Sequence, residues 1–94
     1  IPKGLSHEHW QSVHRGAERA AADFKAGGLA VEVRWEGPLK EDQSQEQVKL
    51  VNSMAAQGAS AIVLAPQHGK QMIPCVREVK EAGTPVVLFD SNLH

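Results

Sequence analysis

The stretch "VNSMAAQGASAIVLA", residues 51 to 65, decides the fold. Its first half spaces apolar residues three and four apart, as an amphipathic helix does, and its second half is a continuous apolar run typical of a buried strand. Gly58 separates the two halves, and a glycine directly after a helix readily adopts the left-handed conformation of a helix cap. The stretch therefore predicts a helix, a capping glycine and a strand, in that order.

The same order occurs twice more, in "AADFKAGGLAVEVRW" (residues 21–35) and in "VREVKEAGTPVVLF" (residues 76–89). Gly27 or Gly28 and Gly83 occupy the corresponding capping positions. Units that repeat about every 25 to 30 residues, with helices and strands alternating, are typical of parallel sheets with right-handed crossovers. We therefore predict an α/β fold with three αβα layers around a parallel sheet.

The helices are predicted from their apolar spacing. The second should span roughly residues 43–57 and the third roughly residues 69–82. Ser6 is a plausible N-cap for the first helix, and Pro74 is acceptable only in the first turn of the third. The residues expected to face inward are Trp10, Val13, Ala17, Ala20, Ala21 and Phe24 in the first helix, Val48, Leu50, Val51, Met54 and Ala55 in the second, and Met72, Ile73, Val76 and Val79 in the third.

The strands differ in their patterns. Residues 29–35 alternate between apolar and charged side chains, which predicts a half-exposed strand at the sheet edge. Residues 60–65 and 84–89 are continuously apolar and are expected to be central strands covered on both faces. A doubly wound sheet also needs a strand before the first helix, and residues 1–4 fit the end of such a strand. We expect that first strand to be truncated.

Composition limits the possible classes of function. Ninety-four residues form at most one small domain, with 41% apolar and 22% charged residues. The formal net charge of -1 provides no basic field that would attract nucleic acid or an anionic membrane. No apolar run approaches the roughly 20 residues that span a bilayer, and the first residues lack a signal-peptide pattern. Cys75 is the single cysteine, so an internal disulfide is excluded and a partly buried thiol is expected.

Taken together, "HWQSVHRGAERAA", "GASAIVLAP" and "GTPVVLFDS" resemble the N-terminal lobe of periplasmic sugar-binding proteins of the ribose-binding type. These receptors serve ABC transporters and share their fold with the effector domains of LacI-type repressors. The resemblance implies a flavodoxin-like lobe and makes residues 1–94 part of one lobe of a two-lobed clamp. It further implies a periplasmic location, a transporter permease as partner of the parent protein, and no cofactor.

The resemblance also implies a ligand site at the carboxyl ends of the strands, where open parallel sheets bind ligands. An aromatic ring would stack on a sugar, and polar side chains would bind its hydroxyl groups. Ser91 stands where ribose-type proteins usually have arginine, and His9 stands where they tend to have an aromatic residue. The ligand is therefore expected to be a sugar or polyol, with ribose itself in question. The implied ligand-binding residues are Ser6, His7, His9, Trp10, Gln67 (with His68 adjacent), Asp90 and Ser91.

Each of these assignments has a simpler alternative. Trp10 lies on the apolar stripe and can be a core residue, Asp90 can be a turn residue, and Trp35 is expected to pack rather than to bind. The polar loop at residues 36–47 is expected to be a solvated surface away from the ligand. "HEHWQSVH" is not the H-E-x-x-H zinc signature, and His7 and His14 would lie about 10 Å apart along a helix, so no metal site is expected.

Three functions compete. The first is a sugar or polyol receptor of an ABC transporter, present as a fragment. The alternative is the effector domain of a LacI-type regulator, which would need a DNA-binding segment upstream. The third is a stand-alone flavodoxin-like enzyme or receiver domain, but neither G-x-S-x-G nor a P-loop is present, so an enzyme is not expected. A lobe with an incomplete sheet is expected to dimerise or exchange strands when isolated.

Overall fold

The computed structural model describes residues 1–67 and 69–91. The elements in chain order are α1 (Glu8–Ala26), α2 (Ser44–Ala56), β1 (Ile62–Leu64), α3 (Gly69–Glu81) and β2 (Val86–Leu88). The two strands are parallel, with Ile62 opposite Val86 and Leu64 opposite Leu88. The chain is thus an α/β fold with a parallel sheet, as the sequence predicts. No helix in the described ranges is long and apolar enough to cross a membrane.

The core lies where α2 and α3 pack together and against the sheet. Both helices begin and end within a residue of the predicted bounds, because their apolar spacing continues up to polar or glycine residues. The inward-facing residues predicted for these two helices are all buried or packed against the core, or, for Ile73, half-buried. The buried core residues are Ile1, Val51, Met54, Ile62, Leu64, Met72, Cys75, Val76 and Val79.

The predicted capping glycines are confirmed. Gly58 and Gly83 follow α2 and α3 with φ angles of 87° and 106°, a region that residues with a Cβ rarely adopt. After α1, Gly28 takes the left-handed conformation with a φ of 95°, whereas Gly27 has a φ of -84°. Gly58 and Gly83 turn the chain from α2 and α3 toward β1 and β2.

The prediction of a strand over residues 29–35 is wrong, because these residues form no regular secondary structure. Leu29 and Val31 are 57% and 41% exposed. A strand needs a neighbour for its backbone groups, and residues 30–37 make no backbone–backbone hydrogen bond within the described part of the chain. The segment is instead held by Trp35, whose ring stacks on His14 with centroids 4.5 Å apart and planes 1° apart. Trp35 is thus a packing residue, as expected.

Ile1 pairs with β1 as a parallel strand would. Its terminal nitrogen donates to the carbonyl oxygen of Val63 at 2.6 Å, and the amide of Ala65 donates to the carbonyl oxygen of Ile1 at 2.9 Å. This pattern places Ile1 opposite Leu64. The interpretation of residues 1–4 as the end of a strand holds for Ile1, and the chain leaves the sheet after that residue.

The expectation that both central strands are covered on both faces is also wrong. Ile62 and Leu64 are buried against α2 and α3, but Val63 and Val87 point the other way and are 51% and 56% exposed. On that side an open apolar cavity of about 540 Å³ separates β1 from α1 and the irregular segment. The residues that line it include Val13, Ala17, Val31, Val33, Trp35 and Val63.

Three local expectations are corrected. The N-cap of α1 is His7 rather than Ser6, and its Nδ1 accepts a hydrogen bond from the amide of His9 at 3.1 Å. Pro74 lies inside α3 beyond its first turn, and it is exposed. Because proline has no backbone N–H, one carbonyl oxygen of the preceding turn lacks its helical hydrogen bond. Phe24 is 54% exposed and Ala20 is exposed, whereas the other inward-facing residues predicted for α1 are buried or half-buried.

Candidate functional site

The carboxyl ends of the strands meet at one edge of the sheet. Ala65 to Gln67 follow β1, Phe89 to Ser91 follow β2, and Pro2 to His7 follow the residue that pairs with β1. Parallel strands bring such segments together because all their carboxyl ends point the same way. We call Lys3, Gln67, Asp90 and Ser91, which are linked by hydrogen bonds at this edge, the carboxyl-edge cluster.

Lys3 lies at the centre of the carboxyl-edge cluster. Its Nζ lies 2.8 Å from Oδ2 of Asp90 and donates to Oγ of Ser91 at 2.6 Å. The hydrogen bond from Lys3 lowers the pKa of Asp90, and the charges of Lys3 and His9 act in the same direction, while burial opposes them. Asp90 therefore stays ionised, and the ion pair keeps the edge close to electrically neutral.

Asp90 has a left-handed backbone conformation, with a φ of 67°. Few residues other than glycine adopt this region, and aspartate is among those that tolerate it best. The amide of Ser91 donates to the carbonyl oxygen of Phe89 at 2.7 Å, which closes a tight turn at the end of β2. Asp90 is thus a turn residue and a member of the cluster at once, and strained residues of this kind concentrate at functional sites.

Gln67 connects three segments. Its Nε2 donates to the carbonyl oxygen of Lys3 and, at 3.5 Å, to that of Lys40. Its Oε1 is buried and has no hydrogen-bond partner within the described residues. The loop at residues 36–47 therefore borders the candidate site, contrary to the expectation that it lies away from it.

Trp10 is a buried residue in this structure, with 3% of its surface exposed. Its ring lies edge-on to Phe89 with centroids 6.1 Å apart, and to His9 with centroids 4.6 Å apart. Its Nε1 donates to Oε2 of Glu41 at 3.4 Å. Because protein atoms cover almost all of its surface, a stacking role, which stays a prediction, would require neighbouring side chains to move.

The other implied ligand residues differ in how close they lie to the carboxyl-edge cluster. His9 lies close enough to Asp90 for its charge to lower the pKa of that carboxyl. Ser6 and His7 are exposed. The amide of Ser6 donates to the carbonyl oxygen of Leu39, far along the chain, at 3.3 Å, and His7 caps α1. His68 and residues 92–94 lie outside the described residues.

Sequence reasoning missed two residues at this edge, Lys3 and Gln47. Lys3 follows directly after the predicted end of a strand, and that position was a usable signal. Gln47 lies within the loop-to-helix segment interpreted as solvated surface, yet it is fully buried. Its partners are backbone groups of distant segments, which leave no trace in the local pattern.

The cluster offers an ammonium group, a carboxylate, a hydroxyl and a side-chain amide within one small area. These groups can donate to and accept from the hydroxyl groups of a neutral polar ligand. Among residues 1–67 and 69–91, no group of three histidine, cysteine, aspartate or glutamate side chains is arranged to hold a metal ion.

Comparison with known proteins shows the family of this chain. Residues 1–93 match the family described as the periplasmic binding protein domain, and the chain belongs to that family. It is 29% identical over 92 residues to the D-ribose/D-allose-binding protein of Pseudomonas aeruginosa, an alignment that covers 98% of this chain and 28% of that protein.

Two solved structures are also similar. One is an ABC transporter periplasmic solute binding protein from Actinobacillus succinogenes with bound D-allose, at 31% identity and a TM-score of 0.83. The other is a sugar ABC transporter protein from Actinomyces odontolyticus, at 32% identity and a TM-score of 0.86. They match 99% and 100% of this chain, which covers 31% and 28% of those chains. The chain thus spans less than a third of the length of these proteins.

Proposed function

We propose that this chain forms part of a receptor that binds a sugar or polyol for an ABC transporter, and that the carboxyl-edge cluster supplies its half of the ligand site. The observation that carries the proposal is the contact of Lys3 with both Asp90 and Ser91 at the carboxyl edge of a parallel sheet. The named sugars of the relatives, D-ribose and D-allose, support a carbohydrate ligand.

The physical reason is the balance of charge and hydrogen-bonding groups. A neutral sugar presents several hydroxyl groups, and each needs both a donor and an acceptor when it leaves water. The Lys3–Asp90 pair provides a donor and an acceptor with no net charge, and Ser91 can provide either. An anionic ligand would compete with Asp90 for Lys3, so the pair favours neutral ligands.

The remaining ligand residues are proposed from the family resemblance and their placement. Gln67 and Asp90 belong to the carboxyl-edge cluster, and His9 borders it. Trp10 is buried, so its proposed contribution depends on movement of the side chains around it. The other proposed ligand residues are Ser6, His7 and Ser91.

The cellular setting is part of the same proposal. A receptor of this family would act in the periplasm, deliver its ligand to a membrane permease and catalyse no reaction. The ligand would be enclosed by this lobe and a second one, as the resemblance to ribose-binding proteins implies. A LacI-type regulator is the alternative, but the similar proteins reported above carry names of binding and transport proteins.

Chemical-shift mapping of the 94-residue chain tests the proposal. D-Ribose and D-allose should perturb the amide signals of Lys3, Gln67 and Asp90 in a saturable way. The affinity should be weak, with a dissociation constant in the millimolar range (about -4 kcal/mol), because a single lobe contacts one side of the ligand. Perturbations spread evenly over the surface, or confined to residues away from the carboxyl edge, would contradict the proposed site.

A further inference from the structure

Gln47 is a fully buried polar side chain in the first turn of α2, with 0% of its surface exposed. Its Nε2 donates to the carbonyl oxygens of Pro2 at 3.0 Å and Ala65 at 2.7 Å. Its Oε1 accepts from the backbone amide of Gln67 at 3.0 Å. Both donor hydrogens and the acceptor oxygen of this one amide are therefore in use.

These three partners lie on two different segments of the carboxyl edge. Pro2 belongs to the segment that leads into Lys3, and Ala65 and Gln67 belong to the loop after β1. The carbonyl oxygens of Pro2 and Ala65 would otherwise lie buried near each other with no donor between them. A buried acceptor without a partner is costly. The amide of Gln47 thus fixes the spacing between the two segments.

The same two segments carry the carboxyl-edge cluster. Lys3, directly after Pro2, holds Asp90 and Ser91 through its ammonium group. The side chain of Gln67 donates to the carbonyl oxygen of Lys3. Hydrogen bonds and the backbone of these two segments therefore connect Gln47 to the carboxylate of Asp90.

We infer that Gln47 is a positioning residue, which holds the Lys3 segment and the Gln67 loop at the spacing that lets the carboxyl-edge cluster act as one preorganised ligand surface. The inference rests on the proposed function, because the groups that Gln47 positions are those of the proposed sugar site. Gln47 itself lies beneath the surface and does not contact the ligand.

The chemistry at this position is specific to glutamine. Glutamate would direct a carboxylate at two carbonyl oxygens and lose both donors. Methionine has a similar length and volume but leaves the Pro2, Ala65 and Gln67 groups without partners. Asparagine is shorter by one methylene and cannot reach both segments from the same helix.

The test compares Gln47→Met with Val51→Ala in the 94-residue chain by NMR. Val51 is a matched control, since it lies one turn further along α2 and is also 0% exposed, but its partners are the apolar core. With Gln47→Met, the Gln67 amide should exchange with solvent about tenfold faster, as loss of one hydrogen bond implies. The pKa of Asp90 should also move up toward its ordinary value. Val51→Ala should reduce global stability but leave the exchange rate of the Gln67 amide and the pKa of Asp90 unchanged.

A side chain that only fills space would give the opposite result. If Gln47→Met changed the Gln67 amide and the Asp90 pKa no more than Val51→Ala does, the inference would be overturned. Should Gln47→Met fail to fold, the unmodified chain provides a second measurement. The side-chain amide protons of Gln47 should exchange at least about tenfold more slowly than those of the exposed Gln45, and equal rates would overturn the inference.

The exchange and pKa measurements need no sugar, so a separate sugar titration distinguishes the two proposals. Slow exchange at Gln47 and Gln67 together with no sugar binding would refute the proposed function and leave the hydrogen-bonded connection intact. Sugar binding that Gln47→Met leaves unaltered would refute the positioning role and leave the proposed function intact.

Discussion

Lys3 and Asp90 come from opposite ends of the described chain and form an ion pair, with Nζ and Oδ2 2.8 Å apart. Lys3 is largely buried, with 18% of its side chain exposed, whereas 37% of the Asp90 side chain is exposed. The pair brings the segment after Ile1 to the end of β2.

Replacing Lys3 should change the ionisation of Asp90. In Lys3→Met, the carboxylate loses the hydrogen bond and charge that lower its pKa, so the Asp90 pKa should rise toward or above its ordinary value. A carboxylate with a lowered folded-state pKa stabilises the fold above its unfolded pKa, and that stabilisation is lost as the pH falls through the folded pKa. Lys3→Met should therefore weaken the acid dependence of stability that Asp90 contributes.

Carboxyl titration by NMR checks the Lys3 prediction. Arg19→Met is the matched control, because Arg19 pairs with Asp23 on the exposed face of α1 at 3.3 Å. It should leave the Asp90 titration unchanged. An Asp90 pKa that is the same in Lys3→Met and in the unmodified chain would show that the ion pair does not form in solution.

Part of this fold could be predicted from sequence because the deciding signals are local. The spacing around Val51 and the glycine at position 58 determine a helix and its end without help from distant residues. The prediction of a strand over residues 29–35 was wrong because strand formation depends on distant residues. The alternation in this segment is a correct strand pattern, but a strand forms only against a neighbour, and no neighbour pairs with it among the described residues.

Part of the candidate site could likewise be predicted from the sequence, and part could not. Gln67 and Asp90 could be placed at one edge because each directly follows an apolar run that becomes a strand. Lys3 and Gln47 act through contacts with residues far along the chain, and no local period predicts such contacts. The burial of Trp10 likewise depends on Phe89 and Glu41, which the topology brings beside it.

Cys75 should react slowly in the folded chain. Its thiol is buried in the core beside α2, and burial together with the charge of Glu78 raises its pKa. Since the thiolate is the reactive form, iodoacetamide near neutral pH should modify Cys75 much more slowly in the native chain than in denaturant. Mass spectrometry follows the reaction, and equal rates under the two conditions would contradict the buried placement.

The open face of the sheet should promote self-association. Val63 and Val87 lie side by side in the parallel register and are both more than half exposed. Exposed apolar sheet surface is a common contact between chains. Light scattering should detect dimers at high concentration, and Val87→Lys should reduce them.

Phe24→Lys is the control for this prediction, because Phe24 is similarly exposed, at 54%, but lies on α1. It should leave the dimer fraction unchanged if the sheet face is the contact. A chain that stays monomeric at the highest soluble concentration would contradict the prediction. Equal effects of the two substitutions would place the contact elsewhere.

The most direct test of the central claim is an NMR titration of D-ribose and D-allose into the chain with Asp90→Asn, alongside Asp23→Asn as a matched carboxylate substitution. Asp23 is likewise paired with a basic residue but lies on the exposed face of α1. Loss of a charge-assisted hydrogen bond should weaken sugar binding about tenfold or more in Asp90→Asn, while Asp23→Asn should bind as the unmodified chain does. Equal sugar affinity in all three chains would contradict the account.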